Sequence, residues 1–265
     1  MLMAAGRLVQ SGADQRKKGM VQMGYLAACA IALVLLLAPA PSLAAGQPLT
    51  QKLTVLADAG GGEASYYLGM LYHLGMDGVA KDPRKAVALF KQAADRNDPL
   101  GAYKYGCYFD GQGEGMVEPD AKLALRYKLI AAEAGYALAQ EDVATHLFAD
   151  GNKMDSLKWL EKAAAQGSPN ALMALGGLYA GLAPSGAPAV TPDRGRGYAY
   201  LLMAARGVPE MKAALEPELA KLTPAERKRA KTLEANWAPR PTALTLKVFQ
   251  GFKPAERLAA ATLKP

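Results

Sequence analysis

Residues 64–97 read ASYYLGMLYHLGMDGVAKDPRKAVALFKQAADRN, and parts of this stretch recur along the chain. Its ending, Ala-Ala-Asp-Arg-Asn, has counterparts whose last residues are Gly60, Asn97, Gly135, Gly167 and Gly207. The intervals between these residues are 37, 38, 32 and 40 positions. A recurring period in this range is typical of proteins built from stacked structural repeats.

Each copy is predicted to form a helix, a loop, a second helix and a turn. The left-handed conformation that often ends a helix is adopted best by Gly and next best by Asn, the residues found at the five turn positions. Asp82-Pro83 is typical of the start of the second helix, with an N-cap followed by a first-turn proline. The matching caps in the later copies are Asp120, Asp155 and Asp193.

Small residues recur at two further positions, which predicts that neighbouring helices approach closely there. One position lies three residues before each turn and is always alanine: Ala57, Ala94, Ala132, Ala164 and Ala204. The other lies inside the first helix: Gly69, Gly106, Ala144 and Gly176. A glycine within a helix costs up to about 1 kcal/mol, so its recurrence favours a packing role.

The order Ala-x-x-x-Leu-Gly-x-x-Tyr, a Gly-rich loop, Asp, Lys-Ala, an aromatic pair, Ala-Ala and Gly resembles the Sel1-like repeat, a relative of the tetratricopeptide repeat. Four such units span residues 61–207. The resemblance implies an all-α, right-handed alpha-alpha solenoid of helix-turn-helix repeats. It also implies an adaptor that binds another protein, in signalling or in cell-envelope assembly. We expect a monomer without a cofactor.

The segments outside the repeats are predicted to be a leader, two caps and a tail. Residues 45–60 are expected to form an N-terminal capping half-repeat, and residues 208–237 a C-terminal capping helix pair. Thr223-Pro224-Ala225-Glu226 is typical of a capping box at the start of the second helix of that pair. Residues 238–265 are expected to be a basic, mostly extended tail, with one short helix from Pro254 to Leu263.

Residues 1–44 are predicted to be a signal peptide with a leader. A basic stretch, 16–18, precedes an apolar run, 26–37, and small residues follow at 42–44. Cleavage is expected after Ala44, which places the mature chain in the periplasm or outside the cell. The alternatives are an uncleaved N-terminal membrane anchor and a lipoprotein acylated at Cys29, although Cys29 lies at the start of the apolar run.

The formal net charge of +7 is concentrated at the ends of the chain. From Lys221 onward there are ten Lys and Arg residues against three Glu residues. Four basic residues on one predicted helix are candidate partner contacts: Arg227, Lys228, Arg229 and Lys231. The cluster is typical of a solvated face of a capping helix. The alternative is contact with an acidic protein or another anionic envelope component, and nucleic acid is not expected for an exported chain.

Residues that could carry out catalysis or bind a metal are few. The histidines, His73 and His146, lie in different repeats, and neither has a second histidine four residues further along its helix. Cys107 is expected to be a buried structural thiol. The loop at 110–115 lacks the ligand spacing of an EF-hand. We therefore expect no metal site, no cofactor site and no enzymatic activity.

Two other functions remain open from the sequence. The resemblance implies a β-lactam-binding or weak β-lactamase enzyme as one alternative, because some exported members of the family are linked to that activity. Those members have a cysteine pair in each repeat, which this chain lacks. The other alternative is a structural protein anchored in the envelope by its basic tail or its leader.

Overall fold

The computed structural model describes residues 48–113, 115–182 and 190–262. The predicted signal peptide and Cys29 lie outside these residues. Within them the chain forms helices and no strand: α1 Leu49–Asp58, α2 Gly62–Leu74, α3 Pro83–Asp95, α4 Pro99–Cys107, α5 Ala121–Glu133, α6 Ala137–Ala149, α7 Lys153–Ala165, α8 Pro169–Ala180, α9 Arg194–Ala204, α10 Pro209–Ala220, α11 Pro224–Ala235, α12 Ala243–Phe249 and α13 Lys253–Thr262.

The four repeat units are the helix pairs α2–α3, α4–α5, α6–α7 and α8–α9. The two helices of each unit pack against each other, and the second helix of a unit also packs against the first helix of the next. This neighbour-to-neighbour packing is the architecture of a solenoid, so the predicted all-α solenoid is confirmed. None of the helices within the described ranges is long and apolar enough to cross a membrane.

The turns between units have the predicted left-handed backbone. Gly135 has a φ of 95°, and Asn97, the one non-glycine turn residue, has a φ of 60°. The backbone N–H of Asn97 donates to the carbonyl of Ala94 at 3.0 Å, and that of Gly135 donates to Ala132 at 3.0 Å. These hydrogen bonds satisfy carbonyls at the helix end and reverse the chain into the next unit.

The units are close enough that some helix crossings have no room for a side chain. A methyl group added at Gly101 would lie 2.2 Å from Cβ of Ala93, and one at Gly69 would lie 2.8 Å from the ring of Phe90. Ala93 and Phe90 are fully buried. The alanine that limits the crossing at Gly101 is therefore Ala93. It precedes by one residue the recurring alanine of this unit, Ala94.

The second helices begin with the predicted caps in three units of four. The carboxylates of Asp82, Asp120 and Asp193 each accept a hydrogen bond from a backbone N–H of the first turn. The prediction for Asp155 is wrong, because the N-cap of α7 is Asn152. The shorter loop of this unit lets the helix start earlier, which places Asp155 inside the first turn.

The ends of the solenoid are covered by helices from both termini. α1 lies beside α2, where the N-terminal half-repeat was predicted. At the other end, α11 packs against α9, whereas α10 buries only Leu219. Thr223 and Glu226 form the predicted capping box at the start of α11, with each side chain bonded to the backbone of the other residue.

The prediction of a mostly extended tail is wrong. Residues 238–262, called the tail below, contain α12 as well as α13 and return to the first unit. Thr242 caps α12 by accepting a hydrogen bond from the N–H of Thr245 at 3.2 Å. α13 packs against α1 and α2, where Ala255 is fully buried. The prolines at 239 and 241 end α11, but the apolar residues that follow have a surface of the repeats to bury against.

Candidate functional site

A groove lies between the second helices of the last two units and α11. Its cavity volume is about 500 Å³. We call it the C-terminal groove and define it by three arginines, two aromatic residues and one acid: Arg196, Arg229, Arg240, Tyr200, Trp237 and Glu161. Three cations against one anion give its lining a positive charge.

Arg196, in the lining of the C-terminal groove, is held in place by three contacts. Its Nη2 lies 3.1 Å from Oε1 of Glu161 and 3.2 Å from the hydroxyl of Tyr200. Its guanidinium carbon lies 3.9 Å from the centre of the Tyr179 ring, a cation–π contact. These contacts fix the orientation of the guanidinium plane before any ligand arrives.

The other two arginines are more exposed. Arg229 is 57% exposed and forms a 2.9 Å ion pair with Asp193 at the rim. Arg240 is exposed, and its side chain has no acidic partner among the residues that the structure describes. Its backbone N–H donates to the carbonyl of Ala165 at 2.9 Å, which attaches the start of the tail to α7. Arg240 is therefore the groove cation most available to an incoming anion.

The four basic residues singled out in the sequence do not act as one cluster. Arg227 donates to the carbonyls of Leu219, Ala220 and Leu222, so it closes the end of α10. Arg229 alone lines the C-terminal groove. Lys228 and Lys231 are exposed on α11 and form no ion pair within the described part of the chain. Their role as partner contacts stays a prediction, whereas Arg196 and Arg240 were missed by the sequence analysis.

A second cluster of charged residues lies between the second and third units. Lys128 on α5 is 2% exposed and forms ion pairs with Asp110 and Asp142, the latter at 2.7 Å. Asp110 follows α4 in a wider, π-type turn, Tyr108–Gln112. Nε2 of His146 lies 3.1 Å from Asp110, and the hydroxyl of Tyr103 donates to Asp142 at 3.1 Å.

The protonation states in this cluster favour a structural role. Burial alone would lower the pKa of Lys128, but its hydrogen bonds to Asp110 and Asp142 outweigh burial and raise the pKa above the ordinary value. Burial also raises the pKa of the neighbouring Cys107 thiol. A protonated lysine is a poor general base and a protonated thiol is a poor nucleophile. The cluster therefore joins two units electrostatically.

The repeat alignment contains the evidence for this cluster, which the sequence analysis did not use. Lys128 lies seven residues before its turn glycine, Gly135, just as Phe90 lies seven residues before Asn97. Phe90 is fully buried, so the shared register favours burial of Lys128. A buried lysine requires acidic partners. Their identity depends on the π-type turn, which the sequence pattern does not reveal.

The Sel1 repeat family model matches residues 62–98, 99–136, 145–168 and 169–207, just over half of the chain. The chain belongs to the Sel1 repeat family. Sel1 repeat proteins generally act as protein–protein interaction scaffolds and are typically non-enzymatic. No curated protein sequence matches this chain.

Solved structures that share the fold of this Sel1 repeat chain include the following two. One is a protective antigen present in uropathogenic Escherichia coli strains and displaying an SLR fold, with a TM-score of 0.56 at 23% identity. That match covers 82% of this chain but 44% of the antigen. The other is a Sel1 repeat protein from Oxalobacter formigenes, with a TM-score of 0.54 at 24% identity, covering 70% of this chain and 77% of that one.

Replacing Lys128 by Met should lower the free energy of unfolding by about 3 kcal/mol, because two carboxylates lose the cation between them. The matched control is Lys158→Met, since Lys158 pairs with Asp155 at 2.8 Å on the surface, with side chains 68% and 47% exposed. That exposed pair should contribute less than about 1 kcal/mol to the free energy of unfolding. Urea unfolding of the two variants measures both values, and equal losses would contradict the structural role of Lys128.

Proposed function

We propose that this Sel1 repeat chain is an exported protein-interaction scaffold of the cell envelope, and that its C-terminal groove binds an acidic segment of a partner protein. The observation that supports the binding site best is the lining of three arginines against one glutamate in a groove of about 500 Å³. Such a lining attracts a carboxylate from a distance and binds it at short range.

The aromatic side chains of the C-terminal groove add contact area to this charge. Tyr200 and Trp237 are half-buried, so part of each side chain is accessible to a ligand. Trp, Tyr and Arg are the residues that most often dominate binding energy at protein interfaces. The Arg196 guanidinium is already oriented by Glu161 and Tyr200, so less conformational entropy is lost on binding. An acidic peptide segment with an adjacent apolar residue suits this combination.

The test of the binding site is photo-crosslinking in the source cell. A photoreactive amino acid at Leu233, which lies in the groove wall and is 37% exposed, should give a discrete adduct with one partner. The same amino acid at Val55 on α1, 55% exposed, is the positional control and should not give that adduct. Identical adduct patterns from both positions would contradict a binding site in the groove.

Charge reversal supplies the second arm of this experiment. Arg240→Glu should reduce the Leu233 adduct at least about tenfold, because it places a negative charge where the acidic segment docks. Arg84→Glu on α3 is the matched control and should leave the yield unchanged, because Arg84 lies in the first unit. An adduct that withstands Arg240→Glu would mean that the partner does not use charge in the groove.

Export is proposed from the N-terminal sequence pattern. The mature chain is expected to begin at Ala45 and to be recovered from the periplasm or the medium. Determining the N-terminal residue of the chain isolated from the source cell tests this prediction. A chain that retains residues 1–44 in the membrane fraction would contradict cleavage and favour an anchored protein.

A further inference from the structure

The tail crosses the edge of the solenoid where each second helix turns into the next first helix. Four residues on this edge contact it through polar groups, and we call them the turn edge: Glu63, Gly135, Ala137 and Gln166. The turn edge spans the first three units, and none of its four residues lines the C-terminal groove, to which the tail contributes Arg240.

The third unit lacks its own helix cap, and the tail supplies one. Asp98 and Ser168 cap α4 and α8 with their side chains, but the residue at the corresponding position of α6 is Tyr136, which makes no side-chain cap. Instead, the N–H of Ala137 donates to Oγ1 of Thr245 at 3.0 Å, across 108 residues of sequence. Thr245 is 4% exposed, so water does not replace it.

Gln166 contacts the start of α12 through its amide oxygen, while its amide nitrogen is bonded to the repeats. Its Oε1 accepts from the backbone N–H of Thr242 at 3.0 Å and from the hydroxyl of Thr245 at 2.8 Å. Its Nε2 donates to the carbonyl of Gly135 at 2.8 Å and to Gln140 at 2.9 Å. The hydroxyl of Thr242 donates to the same Gly135 carbonyl at 2.8 Å. The two threonines, three residues apart, are therefore bound by the side chain of Gln166 and the turn at Gly135.

An ion pair and an apolar contact extend this recognition along the tail. Lys247 lies 2.7 Å from Glu63 at the start of α2. Further on, the ring of Phe252 lies 6.0 Å from that of Tyr67. The exposed face of α12 is apolar, with Leu246 46% exposed and Phe249 80% exposed. The tail is therefore bound by hydrogen bonds and one ion pair at its Thr-x-x-Thr-x-Lys stretch, and by apolar packing further along, where Ala255 joins the core.

We propose that the turn edge is a docking site for a helix that opens with Thr-x-x-Thr-x-Lys, and that the tail occupies it as an exchangeable ligand. A partner protein with the same pattern would bind by displacing the tail. For such a segment, the turn edge provides the N–H donor of Ala137, the amide of Gln166 and the carboxylate of Glu63. The short connection through Pro239 and Pro241 keeps the tail at a high local concentration.

Exchange is tested on the full chain, with the recognition sequence of a specific protease inserted at Ala238. The probe is a fluorescein-labelled synthetic peptide of residues 242–262. Fluorescence anisotropy should show binding to the cleaved chain after its own tail has been diluted away, and at least about tenfold weaker binding to the uncleaved chain. A Thr245→Val peptide should bind at least about tenfold more weakly, because Ala137 and Gln166 lose a buried hydrogen-bond partner.

The control peptide carries Leu246→Ala, a change on the exposed side of the same helix, and should bind as the unmodified peptide does. Three results would overturn the proposal: equal binding of the Thr245→Val peptide, a cleaved chain that never releases its tail, or loss of helical circular dichroism on cleavage. The last would make the tail a fixed part of the fold. None of these results depends on crosslinking at the C-terminal groove.

Discussion

The constraint on which the rest of this structure depends is the space between neighbouring helices at the unit crossings. Gly101 faces Ala93 with no room for even one methyl group, and Gly69 faces the ring of the buried Phe90 in a similar way. Close crossings keep each unit flat against the next, which aligns the turns along one edge. That alignment brings Gly135 and Gln166, from consecutive units, within reach of one segment of the tail.

Most of the fold follows from the sequence because a repeat presents the same evidence several times. The turn residues, the two small-residue columns and the aspartate caps each recur. A single exception, such as Asn152 capping α7 in place of Asp155, leaves the predicted fold unchanged. The tail occurs once, so no internal comparison is available for it. Its helices depend on a distant surface of the repeats, since Thr245 caps α6 across 108 residues of sequence, and local propensity does not contain that information.

The candidate sites differ in how far the sequence predicts them. A basic C-terminal region follows from composition, but the C-terminal groove combines Arg229 from α11, Arg196 from α9 and Arg240 from the tail, and only the folded chain brings these together. The basic residues on α11 suggest one binding surface, but Arg227 donates to carbonyls at the end of α10 instead. Lys128 could have been identified by its register with Phe90, whereas its partner Asp110 depends on an irregular turn.

The most direct test of the account is the unfolding free energy of two glycine-to-alanine variants in first helices. Helix propensity alone predicts that both are stabilised, by up to about 1 kcal/mol. The structure predicts that the two variants change the unfolding free energy in opposite directions. Gly177→Ala should stabilise, since nothing lies within 4 Å of the added methyl group. Gly101→Ala should destabilise by about 1–3 kcal/mol, since α3 and α4 must separate. Equal stabilisation of both variants, measured by urea unfolding, would contradict the claim that bare backbone at the crossings sets the spacing of the units.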